Sequence, residues 1–212
     1  MISHGVVRAR RLISDQAAQA GVPNWCLAEL SGRLCELLSL SAATESSALL
    51  TAATHLIAEA QRCAEPVAWI CAASALFFPP DLESNGVDLQ ALTILRVADA
   101  QAAAQAADQL LRSGCFGLLV IDLSAVETKI GDAVLARLKG LVRTHQATVL
   151  FLCSAAESDR SALGSMVSFR ACARSRVISA GRFALEIEVT RDKRRGTPWR
   201  WTETCNGPPG MS

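Results

Sequence analysis

The pattern of hydrophobic and polar positions changes character about three quarters of the way along the chain. Up to residue 153, short apolar runs alternate with longer segments that have helical spacing. Val67–Cys71 and Leu118–Asp122 are almost wholly apolar, which is typical of strands buried on both faces of a parallel sheet. In Ser46–Gln61, apolar residues recur at three- and four-residue intervals, which predicts an amphipathic helix.

The same signals predict three more strands and two more helices in the first part of the chain. The strands are Arg33–Leu38, Leu92–Val97 and Thr148–Cys153. Asp99 is the predicted N-cap of an alanine-rich helix that runs to about Arg112 and is stopped by Gly114. The second helix is expected over Gly131–Thr144. This alternation predicts an α/β fold with a mostly parallel central sheet flanked by helices.

After about residue 165, apolar and charged residues alternate one by one. Phe169–Val177 and Phe183–Thr190 therefore predict antiparallel strands with one face in solvent. Arg191–Gly196 is expected to form a basic turn, and Pro198–Thr202 a short edge strand. The fold class thus includes antiparallel strands at the C-terminal end of the sheet.

Three segments are expected along the chain. Residues 1–30 are interpreted as a helical arm, with an amphipathic helix around Val6–Ala20 and a turn at Gly21–Pro23. Residues 31–204 form the predicted core domain. Residues 205–212, with two prolines and two glycines, are interpreted as a flexible tail.

Composition excludes several classes of protein. Of the 212 residues, 50% are hydrophobic, which is enough for a buried core and excludes a wholly disordered chain. No apolar run of about 18 residues occurs, so neither a membrane span nor a membrane partner is expected. No apolar stretch follows the early arginines Arg8, Arg10 and Arg11, so a secretory signal is not expected either.

The eight cysteines do not form a metal-binding pattern. None is part of a Cys-x-x-Cys pair, and most lie in apolar stretches, where a cysteine acts as a small core residue. We therefore expect reduced thiols, no metal site and a cytoplasmic protein.

Positive charge is concentrated near the C-terminus. Ten basic residues lie between positions 160 and 200 against three acidic ones, although the whole chain has a net charge of only +1. The ten are Arg160, Arg170, Arg174, Arg176, Arg182, Arg191, Lys193, Arg194, Arg195 and Arg200. Such a segment suggests a polyanion or an acidic partner. The alternative is a solvated face of alternating strands.

The position of a phosphate-binding loop, directly after the first strand, holds the wrong residues. Ser39 and Thr44 stand at its two glycine positions and Glu45 at its lysine position, while Ser46 keeps the hydroxyl. A carboxylate about 4 Å from a phosphate charge repels it by about 1 kcal/mol in water and about 4 kcal/mol at a partly shielded site. Asp122 fits the carboxylate that orients magnesium, or else caps its strand. We expect no ATP hydrolysis, no tight ATP binding and no cofactor.

Four segments, in this order, resemble the core of bacterial RecA over roughly residues 30–202: Gly32–Leu37, Val67–Leu76, Leu110–Asp122 and Arg191–Pro198. The resemblance implies that Ala73 occupies the position of the acidic residue that activates the hydrolytic water. It also implies a RecA-like core without the catalytic groups, and therefore no enzyme.

A short RecA-like chain with degenerate ATPase motifs resembles the ImuA family, sometimes labelled SulA-like. This resemblance implies a non-catalytic accessory protein in DNA-damage-induced (SOS) translesion synthesis and mutagenesis. The implied partners are RecA, whose filament it would inhibit in one version, and ImuB with an error-prone C-family DNA polymerase. The alternatives are a DNA-binding RecA paralogue in recombination repair and a cell-division inhibitor.

The resemblance also suggests where DNA would bind. The stretch that matches the mobile DNA-binding loop of RecA, about Ser154–Val167, carries Arg160 as its only base. Arg170, Arg174 and Arg176, on the strand that follows, can hold the phosphates of single-stranded DNA without sequence preference. Their alternative is a solvated strand face.

The densest basic cluster is Arg191, Lys193, Arg194 and Arg195. It matches a lysine-rich turn that in RecA meets the nucleotide of the neighbouring protomer. Partner docking is favoured here over DNA binding and over plain solvation. Trp199 and Trp201 are expected on one side of a strand, either in the core or as an exposed hot spot. Because the predicted arm is suited to packing on a neighbour, self-association stays open.

Overall fold

The computed structural model describes residues 22–39, 46–73, 75, 79–154 and 163–207. These residues form eight strands: β1 (Arg33–Ser39), β2 (Val67–Ala72), β3 (Leu92–Val97), β4 (Leu118–Asp122), β5 (Thr148–Ser154), β6 (Phe169–Ser179), β7 (Arg182–Asp192) and β8 (Trp199–Asn206). The helices of the same residues are α1 (Leu27–Leu30), α2 (Ser46–Arg62), α3 (Pro79–Glu83), α4 (Ala100–Ser113) and α5 (Asp132–His145).

All eight strands belong to one sheet in the order β3-β2-β4-β5-β1-β6-β7-β8. The first six are paired in parallel, and β6, β7 and β8 are paired antiparallel. The wholly apolar strands take the centre because both of their faces are covered by helices or connections. The predicted fold class is confirmed: the protein is α/β, with antiparallel strands at the C-terminal end of the sheet.

The two faces of the sheet carry separate hydrophobic layers. On one face α2 packs through Leu49, Leu56 and Ile57, which are at most 1% exposed, together with Trp25 and Trp69. On the other face α4 and α5 pack through small and aliphatic side chains: Ala103, Ala104, Ala107, Leu135, Leu138 and Val142. The apolar spacing seen in the sequence thus selects the buried side of each helix.

The ends of the helices follow local signals. The Asp99 side chain accepts a hydrogen bond from the backbone N–H of Ala102, as an N-cap does. Gly114 ends α4 in the left-handed region, with φ of 68°. The predicted strands and helices of residues 31–204 are confirmed, whereas α3 was not predicted, because its five residues are too few for a periodic signal.

Both predicted domain boundaries need correction. Trp25 is 1% exposed and its indole N–H donates to the carbonyl of Ala52, so residues 25–30 belong to the core rather than to an arm. At the other end, β8 includes Cys205 and Asn206, which were assigned to the tail. The predicted helix around Val6–Ala20 and residues 208–212 lie outside the described residues.

Candidate functional site

The carboxyl ends of β1, β2 and β4 bring several of the predicted nucleotide-site positions to one edge of the sheet. In open parallel sheets, ligands bind at this edge. Ser39 ends β1 and is 1% exposed, Ala73 follows β2, and Asp122 ends β4 opposite Cys71 of β2. Ser46 begins α2, whereas Thr44 and Glu45 lie outside the described residues.

Asp122 is engaged by its own turn. Its Oδ1 accepts hydrogen bonds from the backbone N–H of Ser124 at 3.0 Å and from the Ser124 hydroxyl at 2.6 Å. The carboxylate is 3% exposed. This is the geometry of an aspartate that caps the end of a strand.

Ala73 is the residue predicted to occupy the position of the water-activating acid, and its side chain is a methyl group. Ala73 is exposed, and its backbone carbonyl accepts a hydrogen bond of 3.3 Å from the Arg96 guanidinium of β3. Arg96 pairs with Cys71 in the register of β2 and β3. A cation of β3 therefore lies beside Ala73. Arg96 could not be identified from the sequence, because the pairing of β3 with β2 is known only from the sheet order.

Arg170 is held by a buried carboxylate. Its Nε donates to Glu36 of β1 at 2.7 Å, and its Nη2 donates to the carbonyl of Gly164 at 3.1 Å. Glu36 is 0% exposed and also accepts the backbone N–H of Leu163. Arg170 thus fixes the chain before β6 to β1. A charged residue within an otherwise apolar strand, Glu36, was the signal for such a partner.

A polar network, here called the Asp192 network, joins the start of β1 to the turn after β7. Arg33 Nη2 lies 2.6 Å from Asp192 Oδ1, and both side chains are almost fully buried. Trp199 donates its indole N–H to Asp192 Oδ2 at 3.2 Å. Burial by itself raises the pKa of the Asp192 carboxyl, but the hydrogen bond and charge of Arg33 hold that pKa below its ordinary value.

Two of the predicted docking residues belong to this network. Arg194 donates to the backbone carbonyls of Glu29 and Ser31, at 3.2 and 2.8 Å. Arg195 is paired with the carboxylate of Glu29, which is 5% exposed. These guanidinium groups hold the basic turn against α1. The Lys193 side chain, in contrast, donates a hydrogen bond to the carbonyl of Ser165 at 2.7 Å.

The outer face of the antiparallel strands is a charged, solvated surface. Arg176 pairs with Glu186 at 3.1 Å and Arg200 with Glu188 at 2.7 Å, and both arginines are exposed. Arg174 is exposed on the same face, opposite Glu186. Arg160 lies outside the described residues.

Both tryptophans of β8 turn toward the core. The Trp199 ring lies 5.9 Å from that of Phe169, and the Trp201 ring meets His55 of α2 edge-on at 5.5 Å. Both are half-buried against the layer that contains α2. The two rings share one side of the strand, as their spacing predicts.

No described helix meets the length and hydrophobicity that crossing a membrane requires. Within the described ranges, no group of three or more His, Cys, Asp or Glu residues is placed to hold a metal ion.

The fold is that of an α/β protein whose parallel strands end at one edge of the sheet. Residues 28–152, more than half of the chain, match the RecA N-terminal domain family, and the chain belongs to that family. It is 33% identical over 140 residues to Protein RecA of Nocardioides sp., covering 57% of this chain and 38% of that relative.

Two further relatives give the same result. Protein RecA of Picosynechococcus sp. is 31% identical over 159 residues, which are 66% of this chain and 42% of the relative. Protein RecA of Rubrobacter xylanophilus is 38% identical over 109 residues, which are 48% of this chain and 30% of the relative. The chain spans about two fifths or less of the length of these relatives.

Proposed function

We propose that this RecA-like protein is a non-catalytic accessory factor in DNA-damage-induced translesion synthesis, of the ImuA type, and that it acts in the cytoplasm. It works through contacts with RecA, or with ImuB and an error-prone C-family polymerase. The observation that carries the proposal is the edge of the sheet at Ala73. Ala73 has only a methyl side chain there, and its backbone carbonyl accepts a hydrogen bond from the Arg96 guanidinium.

The chemistry of this edge argues against hydrolysis. Activation of water at a terminal phosphate needs a general base within hydrogen-bond reach, and alanine has no group that accepts a proton. Asp122 is already bonded twice to Ser124. Glu45 at the lysine position adds repulsion to a phosphate where a cation is needed. A RecA-like fold without these groups can still bind other proteins through its surface, and we propose that this chain acts through such contacts.

The solvated face of the C-terminal strands gives little support to the alternative of a DNA-binding paralogue. Arg176 and Arg200 are each matched by a glutamate, and Arg170 by the buried Glu36. These three cations are therefore partly or fully neutralised within the protein. No observation favours cell-division inhibition.

The test is an affinity pull-down from the native host after DNA damage, with and without nuclease, read by mass spectrometry. We expect RecA, ImuB or the error-prone polymerase to be recovered in both conditions, since protein contacts survive nuclease. Recovery of none of these, or only of partners lost on nuclease treatment, would overturn the proposal and favour a DNA-binding paralogue.

A further inference from the structure

A β-bulge near the end of β7 changes the direction of one basic side chain. Ala171 of β6 pairs with Val189, but Arg170 pairs with Arg191, so Thr190 is an extra residue on β7. Without the bulge, Arg191 would share the face of Val189, toward α2. With it, Arg191 shares the face of Arg170, which bonds to Glu36 on the side of α4 and α5.

Basic residues of α5 lie on that same side. Lys139 and Arg143 are four positions apart on the helix, so they lie on neighbouring turns of one face. Lys193 follows β7 and bonds to the carbonyl of Ser165. We call Lys139, Arg143, Arg191 and Lys193 the α5 cation cluster. Arg191 and Lys193 lie far from α5 in sequence, and the fold brings all four cations to one side of the sheet.

The cluster carries charge that the described residues do not neutralise. In the described ranges, no carboxylate lies within 4 Å of any of its four cations, unlike Arg33, Arg170, Arg195 and Arg200, which all have one. Burial lowers the pKa of Lys193, and the charges of Arg191, Lys139, Arg143 and Arg170 lower it further. Like charges on one side of the sheet repel one another, and an anionic partner relieves that repulsion.

We propose that the α5 cation cluster is the docking surface for an acidic segment of a protein partner, one that presents several aspartate or glutamate side chains together. The proposal rests on the proposed function, since it names the surface through which an accessory factor of this kind contacts its partner. It separates the basic turn into two parts: Arg194 and Arg195 hold the fold, while Arg191 and Lys193 face the partner.

The composition of the surface favours carboxylates over single-stranded DNA. Bases stack on aromatic rings, and each stacked base contributes about 1–3 kcal/mol. None of the four residues of the cluster is aromatic, and the rings of Trp199 and Trp201 pack toward the opposite layer of the sheet. Because these two rings face away from the cluster, its four cations fit side-chain carboxylates on one face of a segment better than stacked bases.

The test uses the purified full chain and a fluorescein-labelled oligo-glutamate peptide, with binding read by fluorescence anisotropy at low and physiological salt. The variant carries Lys139→Gln and Arg143→Gln. Both side chains lie on the helix surface and glutamine is a good helix former, so the fold is retained. We expect saturable binding by the unaltered chain and a loss of affinity of about tenfold or more in the variant.

The matched control carries Arg176→Gln and Arg200→Gln, which removes the same charge from cations that have their own glutamates. We expect its peptide affinity to stay within about twofold of that of the unaltered chain, because its two arginines lie outside the cluster. A purely global charge effect would instead weaken peptide binding by both variants alike. Equal weakening of both variants, or no binding by the unaltered chain, would overturn the proposal.

A labelled oligo-thymidine strand is titrated under the same conditions. Tighter binding of this strand than of the peptide, lost with Lys139→Gln and Arg143→Gln, would make the surface a nucleic-acid site and overturn the proposal. Because these titrations use purified protein, their failure would leave the pull-down of RecA, ImuB or the polymerase unaffected.

Discussion

Buried charged side chains are the residues on which this fold depends most. Arg33 and Glu36 lie in β1 and are 4% and 0% exposed, and each has an oppositely charged partner. The partners, Asp192 and Arg170, are 159 and 134 residues away in sequence. The sequence analysis could predict β1 but not these pairs, since pairing over such distances depends on the order of strands in the sheet.

The first prediction concerns the Arg33–Asp192 pair. Replacing Arg33 by Leu leaves the buried carboxylate without its cation, so we expect the free energy of unfolding to fall by about 3–5 kcal/mol. Urea denaturation at neutral pH measures it. The control Arg200→Leu breaks an exposed pair with Glu188 and should change stability little, since such pairs contribute little. Equal losses in the two variants would contradict the role given to burial.

The second prediction is a pH dependence carried by Asp192. Its pKa is lower in the folded protein than the ordinary value of 3.8, so the unfolded chain binds the proton more tightly. The stabilisation is therefore complete above that value and is lost as pH falls through the folded pKa. We expect Asp192→Asn to be less stable than the unaltered chain at pH 7 and to lose less further stability below about pH 4. Parallel curves of unfolding free energy against pH would contradict this.

The third prediction separates the cysteines by burial. Burial raises the pKa of Cys35 to about 12, and it also raises the pKa of Cys153, so neither forms a thiolate near neutral pH. Cys63 and Cys115 are exposed. Brief treatment of the native protein with iodoacetamide at pH 8, followed by peptide mass spectrometry, should label Cys63 and Cys115 but not Cys35 or Cys153. Labelling of Cys35 at a comparable rate would contradict the packing of β1.

At the scale of elements, most helices and strands can be predicted from local sequence signals. The way in which they pair and pack cannot be predicted from those signals. The apolar runs predict β2, β4 and β5, and capping residues predict the ends of α4. The bulge at Thr190 leaves no mark in the sequence, because it is defined by its partner strand. It nevertheless decides which face Arg191 takes, and so which basic residues act together.

Two glycines with different roles, one at the end of α4 and one inside α5, give the fourth prediction. Gly114 ends α4 with φ of 68°, and a Cβ there would lie 3.1 Å from the Nδ1 atom of His145. Gly140 lies inside α5, and a Cβ would meet nothing within 4 Å. We expect Gly114→Ala to lower the free energy of unfolding by about 1 kcal/mol or more and Gly140→Ala to raise it by about 0.5–1 kcal/mol. Thermal and urea unfolding measure both changes in stability. Changes of the same sign would contradict the different roles given to the two glycines.

At the scale of the whole molecule, the chain has a RecA-like core, and we propose that it lacks the groups for ATP hydrolysis. The order of elements predicted the fold class correctly, since each apolar strand and helix is locally consistent with it. The candidate site was less accessible to sequence reasoning. The order of residues in the sequence suggests Ala73 and Asp122. The contact of Arg96 and the internal partners of Arg170, Arg194 and Arg195 are known only from the assembled sheet.

The most direct test of a RecA fold without a working nucleotide site is a calorimetric titration of the purified chain with magnesium-ATP, together with a phosphate-release assay. We predict no saturable heat and no phosphate release above buffer, because Glu45 stands at the predicted lysine position and Ala73 at the predicted position of the base. A dissociation constant in the micromolar range, or turnover abolished by Asp122→Asn, would contradict the account.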